Sequence, residues 1–95
     1  MEDTNTRGFE LGRVVGTNGA LAELEKAGEH FQTYLSRHAR GDWGEVPPED
    51  HEETEFSLRN ELRIISGYTL GSGVRIWIIT EADRSSTTIL LPEEY

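Results

Sequence analysis

The sequence predicts one α+β domain, in which two or three short helices pack on one face of a four-stranded, mainly antiparallel sheet in the order β-α-α-α-β-β-β. Three observations lead there. Apolar side chains recur at helical spacing between Thr17 and Gly41, and the period changes to that of strands from Arg63 onward. The third is length, since 95 residues suffice for one thin core and leave none for a second. Residues 1–8 are polar and without period and are expected to form a flexible tail, leaving 9–95 as the domain.

Phe9, Leu11, Arg13 and Val15 alternate with Glu10, Gly12 and Val14, the period of a first strand, weakened by Gly12. Thr17 supplies a hydroxyl cap for a helix carrying Ala20, Leu21, Leu24 and Ala27, and Gly28 can close it. Phe31, Tyr34, Leu35 and His38 fall at i, i+3, i+4 and i+7, the cleanest helical stripe in the chain, followed by a basic last turn and Gly41. Gly41-Asp42-Trp43-Gly44 reads as a turn. Pro47-Pro48 leads a third helix whose first turn holds Glu49, Asp50, Glu52 and Glu53, acids suited to the positive end of a helix. Only Phe56 and Leu58, with Leu62 at the exit, can face a core, so this helix is expected on the surface with one edge docked.

Arg63 to Leu70, Val74 to Glu81 and Ser86 to Leu91 read as three strands of an antiparallel meander, rich in Ile, Thr and aromatic residues. A three-residue loop at 71–73 sets Tyr68 opposite Ile76 and Ser66 opposite Ile78. A four-residue loop at 82–85 then sets Ile78 opposite Ile89 and Ile76 opposite Leu91. Both loops agree on one apolar face, in which Ile64, Tyr68, Ile76, Ile78, Ile89 and Leu91 meet Leu21, Leu24, Phe31, Tyr34 and Leu35. The same register places Trp77 over Gly67 and groups Ile65, Trp77, Ile79 and Leu90 on the other face, which is expected either to serve as a homodimer interface or to be covered by the third helix in a monomer.

Composition excludes several function classes. There are no cysteines, hence no disulfide framework and no thiolate metal site. No apolar run approaches the roughly 20 residues of a membrane helix, and residues 1–8 lack the features of a signal peptide, so a cytoplasmic location is expected. Eighteen acids against nine bases give a net charge of −9, which repels phosphates and argues against direct contact with nucleic acid or anionic lipid. Most of that charge lies beyond residue 44. A helix showing Glu49, Glu52, Glu53 and Glu55 could imitate a row of phosphates toward a protein partner, although charge runs usually serve solubility.

Chemistry-bearing motifs are sparse. His51 and Glu55 give half of an H-E-x-x-H pattern, and the second histidine is absent, so no metal is assigned. Glu81, Asp83 and Arg84, at the end of the central strand, are where a carboxylate-metal hydrolase or nuclease could sit, with Asp42 as a further ligand; the plainer reading is that Asp83 and Ser85 shape a turn. No nucleophile triad and no phosphate loop stand out, and no cofactor is expected. Trp43, between glycines in a turn, is either an anchor in its own core or, with Asp42, a contact offered to a partner.

Three segments carry a resemblance: Leu11-Gly-Arg-Val-Val-Gly-Thr-Asn-Gly-Ala-Leu21, Arg40-Gly-Asp-Trp-Gly44, and Ile76 to Tyr95. Together they resemble a family of small bacterial proteins found on plasmids and integrated elements, labelled plasmid-related protein or type I restriction subunit. The likeness spans nearly all of the chain beyond residue 8, and departs from the family at Asn18, where proline is usual, and at Gly71-Ser72-Gly73, where a Pro-Asp-Gly turn is usual. The element order also resembles the RelE/ParE-type toxins in outline, though those are basic and have one helix fewer. The resemblance implies an association with mobile DNA. With the acidic surface, it leads to the expectation of a non-enzymatic protein-interaction module, an inhibitor or accessory protein. The alternatives are a metal-dependent hydrolase using Glu81 and Asp83, and a self-associating structural protein.

Overall fold

A computed structural model describes residues 9–45 and 48–95, without the side chains of 48–51. The expected tail, and the side chains of Glu49, Asp50 and His51, therefore lie outside the described residues. The chain runs β1 (Arg13–Gly16), α1 (Asn18–Ala27), α2 (Phe31–Ala39), α3 (Pro48–Arg59), β2 (Ile64–Thr69), β3 (Arg75–Thr80) and β4 (Ser86–Leu90), then a 3-10 turn at Pro92–Glu94. This is the α+β class that the sequence predicts. The sheet order is β1-β4-β3-β2, with β2, β3 and β4 antiparallel and β1 parallel to β4.

The meander adopts the register that its loop lengths dictate. Tyr68 stands opposite Ile76, Ser66 opposite Ile78, Gly67 opposite Trp77 and Ile78 opposite Ile89. A slip of one residue would turn every one of these isoleucines to the other face, so burial of one face fixes the pairing. β1 is shorter than its alternation suggests, since Phe9 to Leu11 do not join it. Gly12 breaks the strand with φ +66°, where an added Cβ would stand 2.4 Å from the Ser85 carbonyl oxygen.

Ile64, Tyr68, Ile76, Ile78 and Ile89 are fully buried beneath Ala20, Leu24, Tyr34 and Leu35. Leu21 and Phe31, expected inside, are each 39% exposed. The buried stripe of α1 runs through Ala20 and Leu24, which turns Leu21 onto the flank, and Phe31 opens α2 one turn before its buried residues begin. Leu91 is half-buried and packs against the core from just beyond β4.

All three helices end in one hydrogen-bond pattern, in which the N–H five residues on reaches back to a carbonyl of the last turn. Glu29 donates to the Leu24 carbonyl at 3.0 Å, Asp42 to Arg37 at 2.9 Å and Leu62 to Ser57 at 2.8 Å. The left-handed residue that allows the reversal is Gly28, Gly41 and, for α3, Glu61 at φ 58°. α3 lies against β2, with Leu58 partly buried as expected but Phe56 and Leu62 turned outward. Thr54 is buried, whereas Phe56 is 52% and Leu62 46% exposed.

Candidate functional site

The turn after α2 is built around Trp43, which is 2% exposed. Its indole N–H donates to the Glu55 carboxylate at 3.1 Å, which ties α3 to the turn. Asp42 beside it accepts from Arg37 Nε at 2.7 Å, and its backbone carbonyl accepts the Tyr68 hydroxyl at 2.5 Å. The Arg37 guanidinium holds the Asp42 carboxyl below the usual carboxylate range. Residues 43–45 then close on β2: Gly67 N–H donates to the Trp43 carbonyl at 3.2 Å, and Glu45 N–H to the Gly67 carbonyl at 2.7 Å. Gly44 makes this approach, at φ +77° with an added Cβ only 2.1 Å from the Gly67 oxygen. Trp43 is thus an anchor of its own core and is not offered to a partner.

Behind Trp43 lies a buried polar centre that helical spacing alone did not reveal. His38 is fully buried, with Nδ1 against Ser66 Oγ and Nε2 2.9 Å from Thr80 Oγ1. Thr80 Oγ1 is 2.7 Å from Thr87 Oγ1, and the Thr87 hydroxyl donates to the Leu11 carbonyl at 2.7 Å. The direction of every bond follows from that last one. Since Thr87 spends its proton on Leu11, it accepts from Thr80; Thr80 must then accept from His38 Nε2–H, which leaves Nδ1 to accept from Ser66. In the neutral imidazole the proton therefore sits on Nε2. Burial, and next the positive charge of Arg84, push its pKa down from 6.5 to about 3. Phe9 packs edge-on to it with ring centroids at 5.2 Å. His38 is sealed from solvent and bound on both nitrogens, the arrangement of a structural keystone rather than a general base.

Glu81, Asp83 and Arg84 sit in the β3–β4 turn. Asp83 accepts the Ser85 N–H at 3.0 Å, and the hydrogen bonds from Ser85 hold its carboxyl below the usual range. The positive charge of Arg84 adds a smaller lowering effect on Asp83, while its hydrogen bonds go to backbone oxygens. Its Nη1 donates to the carbonyls of Leu62 at 2.8 Å, Glu81 at 3.0 Å and Ala82 at 3.0 Å, fastening the turn to the start of β2. Among the described residues, no three of His, Asp or Glu converge on a point that could hold a metal.

On α3, Glu52 and Glu53 are exposed and Glu55 is half-buried against Trp43. Ile65, Trp77, Ile79 and Leu90 do share the face away from α1 and α2, by register. The chain itself covers part of them. Ile79 and Leu90 are 4% and 7% exposed, and Tyr95, brought round by the 3-10 turn, packs edge-on to Trp77 at 5.4 Å. Arg63 donates to the Tyr95 hydroxyl at 2.5 Å. The aromatic end of the chain carries no helical or strand period, so this cover left no signal in the sequence.

Family models, curated proteins and solved structures were all compared with the chain, and none matches it.

Besides Phe56, Leu62 and Tyr95, the exposed large apolar side chains among the described residues are two on β1 and two on α1 and α2. Val14 and Val15 are 39% and 42% exposed, close in value to Leu21 and Phe31. Two open recesses flank Phe31. One, of about 330 Å³, is lined by Leu11, Val14, Phe31, Leu35 and Ala39 among others. The second, of about 460 Å³, lies between α1 and α2 and is lined by Leu21, Leu24, Glu25, Glu29, His30 and Phe31 with Gly28. Glu29 is fixed at its rim by the Tyr34 hydroxyl and by the Gly71 N–H at 2.7 Å, both of which favour its ionised form.

Proposed function

We propose that this chain is a small acidic protein-interaction module, acting without catalysis as an inhibitor or accessory protein. The resemblance to proteins of plasmids and integrated elements supports an association with mobile DNA. The observation that carries the reading is the exposure of Val14, Leu21 and Phe31 along the two recesses that flank Phe31, on a chain of net charge −9. Exposed apolar side chains scattered singly mean little, whereas a group beside recesses is what partner surfaces look like. The residues best suited to chemistry are already engaged: Asp83 and Arg84 in a turn, His38 in the core. Partner selection would come from the acidic surface, including Glu52 and Glu53, through long-range steering of a basic partner.

Affinity capture with the intact chain tests this, followed by reassembly from purified components. A saturable complex of defined stoichiometry that weakens with Phe31→Asp supports the reading. A chain that returns no saturable partner, and instead turns over a substrate in a manner abolished by Glu81→Gln, overturns it.

A further inference from the structure

We infer that the free edge of β1 is a docking site for an extended, cationic segment of a partner protein, which adds to the sheet as a further strand. The inference rests on the reading of the chain as an interaction module and names where and what it binds.

The two ends of the sheet differ. Beyond β2, residues 43–45 cover the edge through the Gly44–Gly67 bridge. At the opposite end, among the described residues, β1 has β4 as its single neighbour. Arg13 N–H donates to the Ser85 carbonyl at 3.0 Å and Thr17 N–H to the Ile89 carbonyl at 2.9 Å. Residues 13, 15 and 17 thus turn their peptide groups inward, and by alternation Val14 and Gly16 present theirs along the free edge. Natural sheets blunt such edges with charge, proline or a cover. Here the residue facing outward at the centre of the edge is valine, 39% exposed.

Side-chain pockets lie where an added strand would need them. In strand addition, backbone bonds supply affinity and recesses for alternate side chains supply selectivity. Val14 itself lines the recess under Leu11, Phe31 and Leu35, which is open and free of charge. The neighbouring recess across Phe31 has Glu25 and Glu29 as its formally charged lining residues. An apolar residue therefore fits beside Val14, and lysine or arginine at other positions of the segment answers the net charge of −9. A second copy fits less well, because it would set two chains of net charge −9 against each other.

The test uses the intact, isotope-labelled chain and three synthetic probes: a capped peptide of alternating valine and lysine, its valine–glutamate counterpart, and a valine–lysine copy methylated on alternate backbone nitrogens. The valine–lysine peptide is expected to shift the amide resonances of Val14 and Gly16 and to slow their hydrogen exchange. The valine–glutamate peptide should bind at least about tenfold more weakly, and backbone methylation should remove binding. Val14→Lys should also remove it while leaving the melting temperature unchanged, and the methylated peptide keeps the test independent of that variant's folding. Shifts confined to α3, equal binding of both charge types, or free-edge amides already protected in a species of twice 10.7 kDa would overturn the inference. The two readings fail separately: a purified partner that binds Val14→Lys as tightly as the native chain sinks the β1 site and leaves the interaction module standing.

Discussion

His38 gives the sharpest prediction, because burial holds its ring neutral while both ring nitrogens are hydrogen-bonded. Its pKa is ordinarily 6.5 and lies at about 3 in the fold. A depressed value means that the unfolded chain takes up a proton the folded chain refuses. The stability this confers is fully present above pH 6.5 and is lost as pH falls toward 3. Within that window the loss amounts to about 1.4 kcal/mol per pH unit, or about 2 kcal/mol between pH 7 and pH 5. His38→Gln removes the titrating group while keeping a donor and an acceptor for Thr80 and Ser66. Urea melts at pH 7 and pH 5 should show the native chain losing about 2 kcal/mol more than the variant. Glu29, Asp42, Asp83 and Glu94 are all held below the ordinary carboxylate range, so they titrate beneath this interval and cancel between the two proteins. Parallel pH dependence in the two chains, or ring resonances of His38 that titrate near 6.5 in the folded state, would refute the argument from burial.

Three further outcomes follow from the fold. Ile78→Ala, at a fully buried site opposite both Ser66 and Ile89, should cost roughly 2 to 5 kcal/mol in denaturant melts; a loss under about 1 kcal/mol would mean that the wrong face has been placed inside. Gly44→Ala sets a methyl 2.1 Å from a backbone oxygen, which no side-chain rotation relieves. It should cost at least about 2 kcal/mol and red-shift Trp43 fluorescence, and native stability with an unshifted spectrum would contradict the close approach. Glu61→Gly should raise stability by up to about 1 kcal/mol, since the left-handed conformation at φ 58° disfavours a side chain; thermal melts showing no gain would count against that cap.

What the sequence made legible was whatever depends on period. The helical stripe Phe31-Tyr34-Leu35-His38 and the strand alternation after Arg63 are local patterns, and loop lengths of three and four residues translate them into register. Both helix-ending glycines were legible for the same reason. The third ending was not, because nothing marks Glu61 as left-handed except the reach of Leu62 back to Ser57, which is visible only once α3 has formed. Phe9 belonged by alternation to the first strand, and instead packs on His38. Alternation cannot distinguish a strand from a segment that leaves the sheet at a glycine with positive φ.

The candidate site was less legible because its decisive contacts join residues far apart in sequence. Ser66, Thr80 and Thr87 look like ordinary strand hydroxyls, and His38 like one more member of an apolar stripe. Their meaning comes from the register, which puts Ser66, Thr80 and Thr87 on the inner face together, and from α2, which lowers His38 between them. Once the one free proton of Thr87 is committed to Leu11, the whole chain of donors is forced and the histidine has no lone pair left for substrate. The same geometry sorts the surface. Trp43, Ile79 and Leu90 are spent on the chain's own core, whereas Val14, Leu21 and Phe31 stay exposed near β1, whose outer edge is the proposed docking site. A partner that pairs with that edge need contribute only an extended backbone and alternating side chains. On the docking proposal its selectivity would come from basic side chains that answer the net charge of −9 rather than from a large interface.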